Sequence, residues 1–158
     1  MLAGPRAASG SPPEAEVGNA SGRFPSVRRL LSPAQFVAVT SDPGALRAGR
    51  RWLSLAGRVQ AEARDVPVRF GITASRRHAR RAVDRNSAKR VLREAARRHI
   101  EVLDAAAADR SVDIVLRLRA VVPDGGTLAR GAWKAALRAE ADALLEQLAR
   151  RLRGAEER

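Results

Sequence analysis

Between Arg76 and Arg98 the chain carries ten basic residues (Arg76, Arg77, Arg80, Arg81, Arg85, Lys89, Arg90, Arg93, Arg97, Arg98) against two acids, Asp84 and Glu94. Ten minus two leaves +8 in one segment, out of +13 for the 158-residue chain. From about Arg81 to Leu103 the pattern is helical. At about 100° per residue, Arg85, Asn86, Lys89, Arg90, Arg93 and Arg97 share one arc of about 140°. Ala88, Val91, Leu92, Ala95 and Val102 share a different arc of about 100°. The segment therefore predicts one helix with a core face and a donor face. Solvated helix faces usually mix signs, with Glu four residues before Lys or Arg. This face contains almost no acid.

The donor types suit phosphates. Arginine forks hold a phosphate bidentately, and lysine acts as a point charge. Asn86 both donates and accepts, which suits a sugar hydroxyl or a base edge. The helix N-terminus adds partial positive charge, and Asp84 offsets part of it while stabilising the first turn. A chain this basic repels itself in the compact state. A polyanionic partner relieves that repulsion, and nucleic acid is the first candidate. General solubility or attraction to a membrane surface are the plainer readings of the charge.

With 45% hydrophobic and only 3% aromatic residues, the core must come from Leu, Val, Ile and Ala. Cysteine is absent, so no disulfide framework, thiolate nucleophile or Cys-ligated metal is available. Met1 to Glu16 has no apolar run like a signal peptide, and no stretch is long enough to span a bilayer. A cytoplasmic protein without membrane contact is expected.

Residues 1–24 are rich in Gly, Pro, Ser and Ala and read as a disordered tail. One domain is expected over residues 25–152, with a charged tail at 153–158. Ser32-Pro33 looks like a helix start running to about Val39, and Asp42-Pro43-Gly44 a turn. Trp52 to Ala56 is a plausible strand. Val66 to Thr73 is a second, with Pro67 suggesting a strand start or a sheet edge. Gly57 to Asp65 would join the two as a hairpin. After the basic helix, Ala106 to Arg110 is a polar exit and Val112 to Leu118 a third strand. Pro123 to Gly126 is a turn and Thr127 a possible cap for a last helix. There Trp133, Leu137, Ala141, Leu144, Leu148 and Leu152 form one apolar stripe. The order helix, strand, strand, helix, strand, helix predicts an α+β or α/β sandwich, a small sheet covered by helices. No internal repeat is visible.

Phosphodiester hydrolysis by a protein needs a base, metal ligands or both. His78 and His99 lie among arginines without an obvious carboxylate partner and read as surface contacts rather than catalysts. Asp104, Asp109 and Asp113 form no recognisable metal pattern. No catalytic and no metal-binding residue is assigned.

The stretch Phe70-Gly-Ile-Thr-Ala-Ser-Arg-Arg, followed by Ala82-Val83-Asp84-Arg85-Asn86-Ser87-Ala88-Lys89-Arg90-Val91-Leu92-Arg93-Glu94, resembles the bacterial ribonuclease P protein component family. That family carries an Arg-Asn-x-x-Lys-Arg-x-x-Arg signature on its central helix, matched here by Arg85, Asn86, Lys89, Arg90 and Arg93. Arg29-Leu30-Leu31 and Phe36 resemble its N-terminal helix, and Val112 to Leu116 its last core strand. The resemblance covers roughly Val27 to Leu148. Three positions depart from the pattern. Ser87 stands where an Arg is frequent, Arg80-Arg81 where many members have Gly-Asn, and Thr40 where a second aromatic is expected.

The resemblance implies a two-layer α-β sandwich with a left-handed βαβ crossover through the basic helix, the fold of the second domain of a small-subunit ribosomal protein. It implies a catalytic-RNA surface, here Arg81, Arg85, Asn86, Lys89, Arg90, Arg93 and Arg97. It implies a cleft between the sheet and the first helix for the 5′ leader of precursor tRNA, here Phe36, Thr40, Trp52, Thr73, Ser75, Arg76 and Arg77. Phe36 and Trp52 could stack on unpaired bases, pack in the core, or do both. The partners implied are the ribonuclease P RNA and precursor tRNA, with no obligate protein partner. Cleavage would be performed by the RNA with magnesium, and no cofactor by the protein alone. The rival readings are a non-enzymatic structural RNA-binding protein, ribosomal-protein-like, and a protein-only nuclease. Arg85→Ala with Arg90→Ala is expected to weaken assembly while leaving the fold intact.

Overall fold

In the computed structural model, residues 25–157 are described; the expected tail at 1–24 lies outside them. Ser32 caps the first helix, α1 (Pro33–Thr40), in a capping box: Gln35 N–H donates to the Ser32 hydroxyl, and the Gln35 side-chain Oε1 accepts from Ser32 N–H. Pro33 stands at the first helical position, where its missing N–H costs nothing. Two strands follow, β1 (Leu46–Gly49) and β2 (Leu53–Gln60), then β3 (Val68–Thr73). The basic segment forms α2 (Ala82–Arg98) and α3 (Ile100–Ala107). Strand β4 (Ser111–Leu118) and a 31-residue helix, α4 (Thr127–Glu157), complete the chain.

The sheet order is β1-β2-β4-β3, with β3 and β4 parallel and the other pairs antiparallel. The expected hairpin between β2 and β3 is therefore wrong: β4 lies between them. Its residues from Ser111 to Leu116 are all buried, as befits a central strand covered on both faces. The real hairpin joins β2 to β1, a four-residue strand too short to show in the pattern. Pro67 sits where expected, just before an edge strand. The path from β3 through α2 and α3 to its parallel neighbour β4 is a βαβ unit, as the resemblance implies.

Side chains alternate across the sheet. Leu53, Leu55, Val68, Phe70, Val112, Ile114, Leu116 and Leu118 face the main core with Ala88, Leu92 and Ala95 of α2 and Leu103 of α3. Trp133, Leu137, Ala141, Leu144, Leu148 and Leu152, the expected stripe of α4, close that layer. The opposite face holds a smaller cluster of Leu30, Val39, Ala56 and Val115, with Phe36 of α1 packed against it.

Three boundary expectations change. The long helix breaks at His99, whose φ/ψ of −104°/4° leaves helical geometry. Its Nδ1–H donates to Ala95 O at 2.8 Å. The break turns Leu103, Ala106 and Ala107 into the core and leaves Val102, expected on the apolar arc, 46% exposed. Thr127 is the first residue of α4 rather than its cap, and α4 continues through 153–157, expected as a tail. Among the described residues, no helix is long and apolar enough to cross a membrane.

Gly71 is required by close approach. A Cβ there would lie 2.5 and 2.8 Å from ring carbons of Phe36 and 3.0 Å from Leu30. Gly71→Ala is expected to lower stability by about 1–2 kcal/mol by overpacking. Urea unfolding checks this, and an unchanged midpoint would mean that the ring swings aside freely.

Candidate RNA interface

The core arc of α2 is as the sequence phase predicts: Ala88, Val91, Leu92 and Ala95 are buried, joined by Ala96. On the other arc Asn86, Arg90 and Arg93 are exposed and Lys89 is half-buried. Two expected donors are already engaged. The Arg85 guanidinium donates to Ala79 O at 3.0 Å and Arg80 O at 2.8 Å, tying down the loop ahead of the helix. Arg97 is paired with Glu94 one turn earlier. Arg85→Ala would thus release that loop as well as remove a charge. The expectation that Arg85→Ala with Arg90→Ala leaves the fold intact does not hold for the loop.

Arg93 sits among like charges. Burial, then repulsion from Arg29 and Arg90, lowers its pKa from the ordinary arginine value. Arg93 borders a small pocket of about 90 Å³ with Arg29, Phe36 and Gly71, at the β3 edge between α1 and α2.

At the start of α2, Asp84 is buried and fixed. Arg130 of α4 donates to it at 2.9 Å, and Arg81 lies 3.4 Å away. This pins the N-terminus of the basic helix to α4. Around it Arg77, His78, Arg80, Arg81 and Arg130 line a cavity of about 570 Å³. Arg77, expected in the leader cleft, belongs here; Arg76 is exposed on the same turn. The exposed Ser75 hydroxyl lies 3.2 Å from His78 Nδ1.

A separate cleft of about 330 Å³ opens between α1 and the sheet. Thr40, Arg47, Gly49, Ser54, Arg117 and Arg119 line it, and no acid does. Thr40 is where the sequence reading put it, its hydroxyl donating to Phe36 O at 3.1 Å. Thr73 stands on the same face, beside Arg117 in the register. Phe36 does not line it: its ring sits over Gly71 and lines the small pocket beside Arg93 instead. Trp52 does not line it: the ring packs against the main core, with Arg51 stacked 4.8 Å from its centroid. The backbone turns there because Glu140 of α4 accepts N–H bonds from Trp52 and Leu53. Arg117 and Arg119 escaped the sequence reading. The alternation of Val112, Ile114, Leu116 and Leu118 was the signal that puts Val115, Arg117 and Arg119 on the other face.

The strand directions bring these features together. β3 and β4 run parallel, so their C-terminal ends share one end of the sheet with the β1–β2 turn and the start of α2. Arg76, Arg77, Arg80, Arg81, Arg117 and Arg119 all emerge there. Among the described residues no group of acids or histidines could hold a metal ion. The two buried carboxylates, Asp84 and Asp113, are occupied by arginines. These residues do not fit a magnesium site, and no chemical step is assigned to an ion on the protein.

A mixed sheet with a basic βαβ helix and a basic cleft at one end defines a small RNA-binding module of the α+β class. A ribonuclease P family model matches residues 24–149. A ribonuclease P protein component from Bordetella avium is 35% identical over 127 residues, covering 80% of this chain and 96% of that protein. One from Yersinia enterocolitica is 34% identical over 101 residues, covering 64% and 76%. The solved Staphylococcus aureus RNase P protein superposes with a TM-score of 0.55 at 18% identity, covering 77% of this chain and 94% of that one. The Thermotoga maritima protein gives 0.53 at 22%, covering 77% and 96%. The chain belongs to the ribonuclease P protein family. It is an accessory protein subunit of ribonuclease P, an endoribonuclease of tRNA 5′ maturation.

Proposed function

We propose that the donors of α2, chiefly Asn86, Lys89, Arg90 and Arg93, bind the catalytic RNA, and that the cleft between α1 and the sheet holds the 5′ leader of precursor tRNA. The observation that carries this reading is the exposure of Asn86, Arg90 and Arg93 together on one arc of α2, a row of donors that suits a polyanion. The role is electrostatic and positional. The protein screens phosphate repulsion between catalytic RNA and substrate and so raises substrate affinity. Magnesium belongs to the RNA-containing holoenzyme in this reading, held by RNA. The cysteine-free composition suits a reducing bacterial cytoplasm.

Adding the protein to ribonuclease P RNA and precursor tRNA at low magnesium should stimulate 5′ cleavage, with steep salt dependence. No stimulation would sink the proposal and leave a structural RNA-binding role. Cleavage of precursor tRNA by protein rigorously freed of RNA would overturn it in favour of a protein-only nuclease.

A further inference from the structure

We propose that this chain grips the leader by its phosphates rather than by stacking on its bases, through Arg117 and Arg119 on the cleft floor, with Gly49 as the residue that admits Arg119. This rests on the leader-binding reading above. No aromatic residue lines the cleft. Phe36 holds its ring over Gly71 and against the smaller core cluster. Trp52 has turned to the main core. Thr40 offers no ring, and its hydroxyl is bonded within α1.

The cations of the cleft are differently placed. Arg47 is tethered: its Nη2 donates to Thr40 O at 2.7 Å and Asp42 O at 3.0 Å, closing the end of α1. Arg117 and Arg119 are exposed, and among the described residues neither guanidinium has a hydrogen-bond or ion-pair partner. Their backbones are fixed. Arg117 is in register with Ser54 on one side and Thr73 on the other, which sets a hydroxyl-bearing residue on either side of it on the same face. Arg119 N–H donates to Trp52 O at 2.8 Å, extending the ladder past the strand end. The Arg119 side chain then lies across β1. A Cβ on Gly49 would sit 2.6 Å from its Nη1. That clash involves only the tip of a flexible side chain, so alanine at 49 shifts the guanidinium without unfolding the strand.

Two planar forks on a rigid sheet, flanked by hydroxyl-bearing residues, match the oxygens of a single-stranded backbone. Phosphates are the same in every leader, so affinity should follow salt and not base identity. Stacking would instead bring modest base preferences.

The test uses the reconstituted holoenzyme and precursor tRNAs with a long or a single-nucleotide leader. The parent should favour the long leader. Arg117→Ala with Arg119→Ala should reduce that preference about tenfold and lower the salt slope by about 1.4, two single-strand phosphates. Gly49→Ala should reproduce part of the loss, and add nothing in an Arg119→Ala background. Unchanged leader preference in the double variant, with loss on Phe36→Ala, would overturn the proposal in favour of stacking and leave the leader reading standing. A parent that does not distinguish the two leaders would sink both.

Discussion

Asp113→Asn should lower the stability of this protein by about 3 kcal/mol, roughly 6–12 °C in Tm for a chain of this size. Asp113 is 4% exposed in the central strand. Arg69 donates to both its oxygens at 2.9 Å, and Arg64 reaches Oδ1 at 2.7 Å. Burial alone would raise the Asp113 pKa. Hydrogen bonds from Arg69 and then Arg64, with their charges, outweigh it and hold the carboxyl below the usual carboxylate range. Removing the charge strands two guanidinium groups that are each only about a quarter exposed. The pH dependence has a definite sign. A depressed carboxylate contributes fully above its unfolded value of about 3.9 and loses that contribution as pH falls through the folded value. The gap in Tm between parent and variant should thus be constant from neutral pH down to about 4 and shrink below it. Thermal melts followed by circular dichroism give both numbers. A variant within about 1 °C of the parent at pH 7 would refute the ledger of contacts around Asp113.

Arg90→Ala with Arg93→Ala should have the largest effect on function. Both side chains are exposed on the donor arc, and among the described residues no acid pairs with either. Each is expected to hold an RNA phosphate with a charge-assisted bond. Loss of both should weaken binding to ribonuclease P RNA about a hundredfold at low salt and reduce the slope of log K against log salt by about 1.8. Stability should not fall, because the change removes repulsion among Arg29, Arg90 and Arg93. Filter binding across a salt series with a parallel melt separates the two effects. RNA affinity retained within threefold of the parent, at unchanged slope, would place the RNA surface elsewhere.

The two variants also divide what was legible in the sequence. A helix makes its faces from neighbours three and four residues apart, so the burial of Ala88, Leu92 and Ala95 and the exposure of Arg90 and Arg93 followed from spacing alone. Ser32 and Pro33 announced α1 for the same reason: capping is local chemistry. The +8 charge of the basic segment and the signature from Arg85 to Arg93 likewise sit within a few turns of one element, and they sufficed to point to RNA and to the family.

What required the tertiary structure was everything set by contacts distant in sequence. Strand order is one, since β4 enters between β2 and β3 only after two helices have been crossed. The cleft is another: Arg117, Gly49 and Ser54 meet through strand pairing, and Trp52 leaves because Glu140, 88 residues away, holds its backbone. Engagement is the third. Arg85 and Arg97 share the donor arc with Arg90 and Arg93, yet one ties the preceding loop and the other pairs with Glu94. Spacing fixes the direction in which a side chain leaves its helix, because that depends on backbone geometry alone. Whether the side chain then stays available to RNA depends on which partners the rest of the fold brings within about 3 Å.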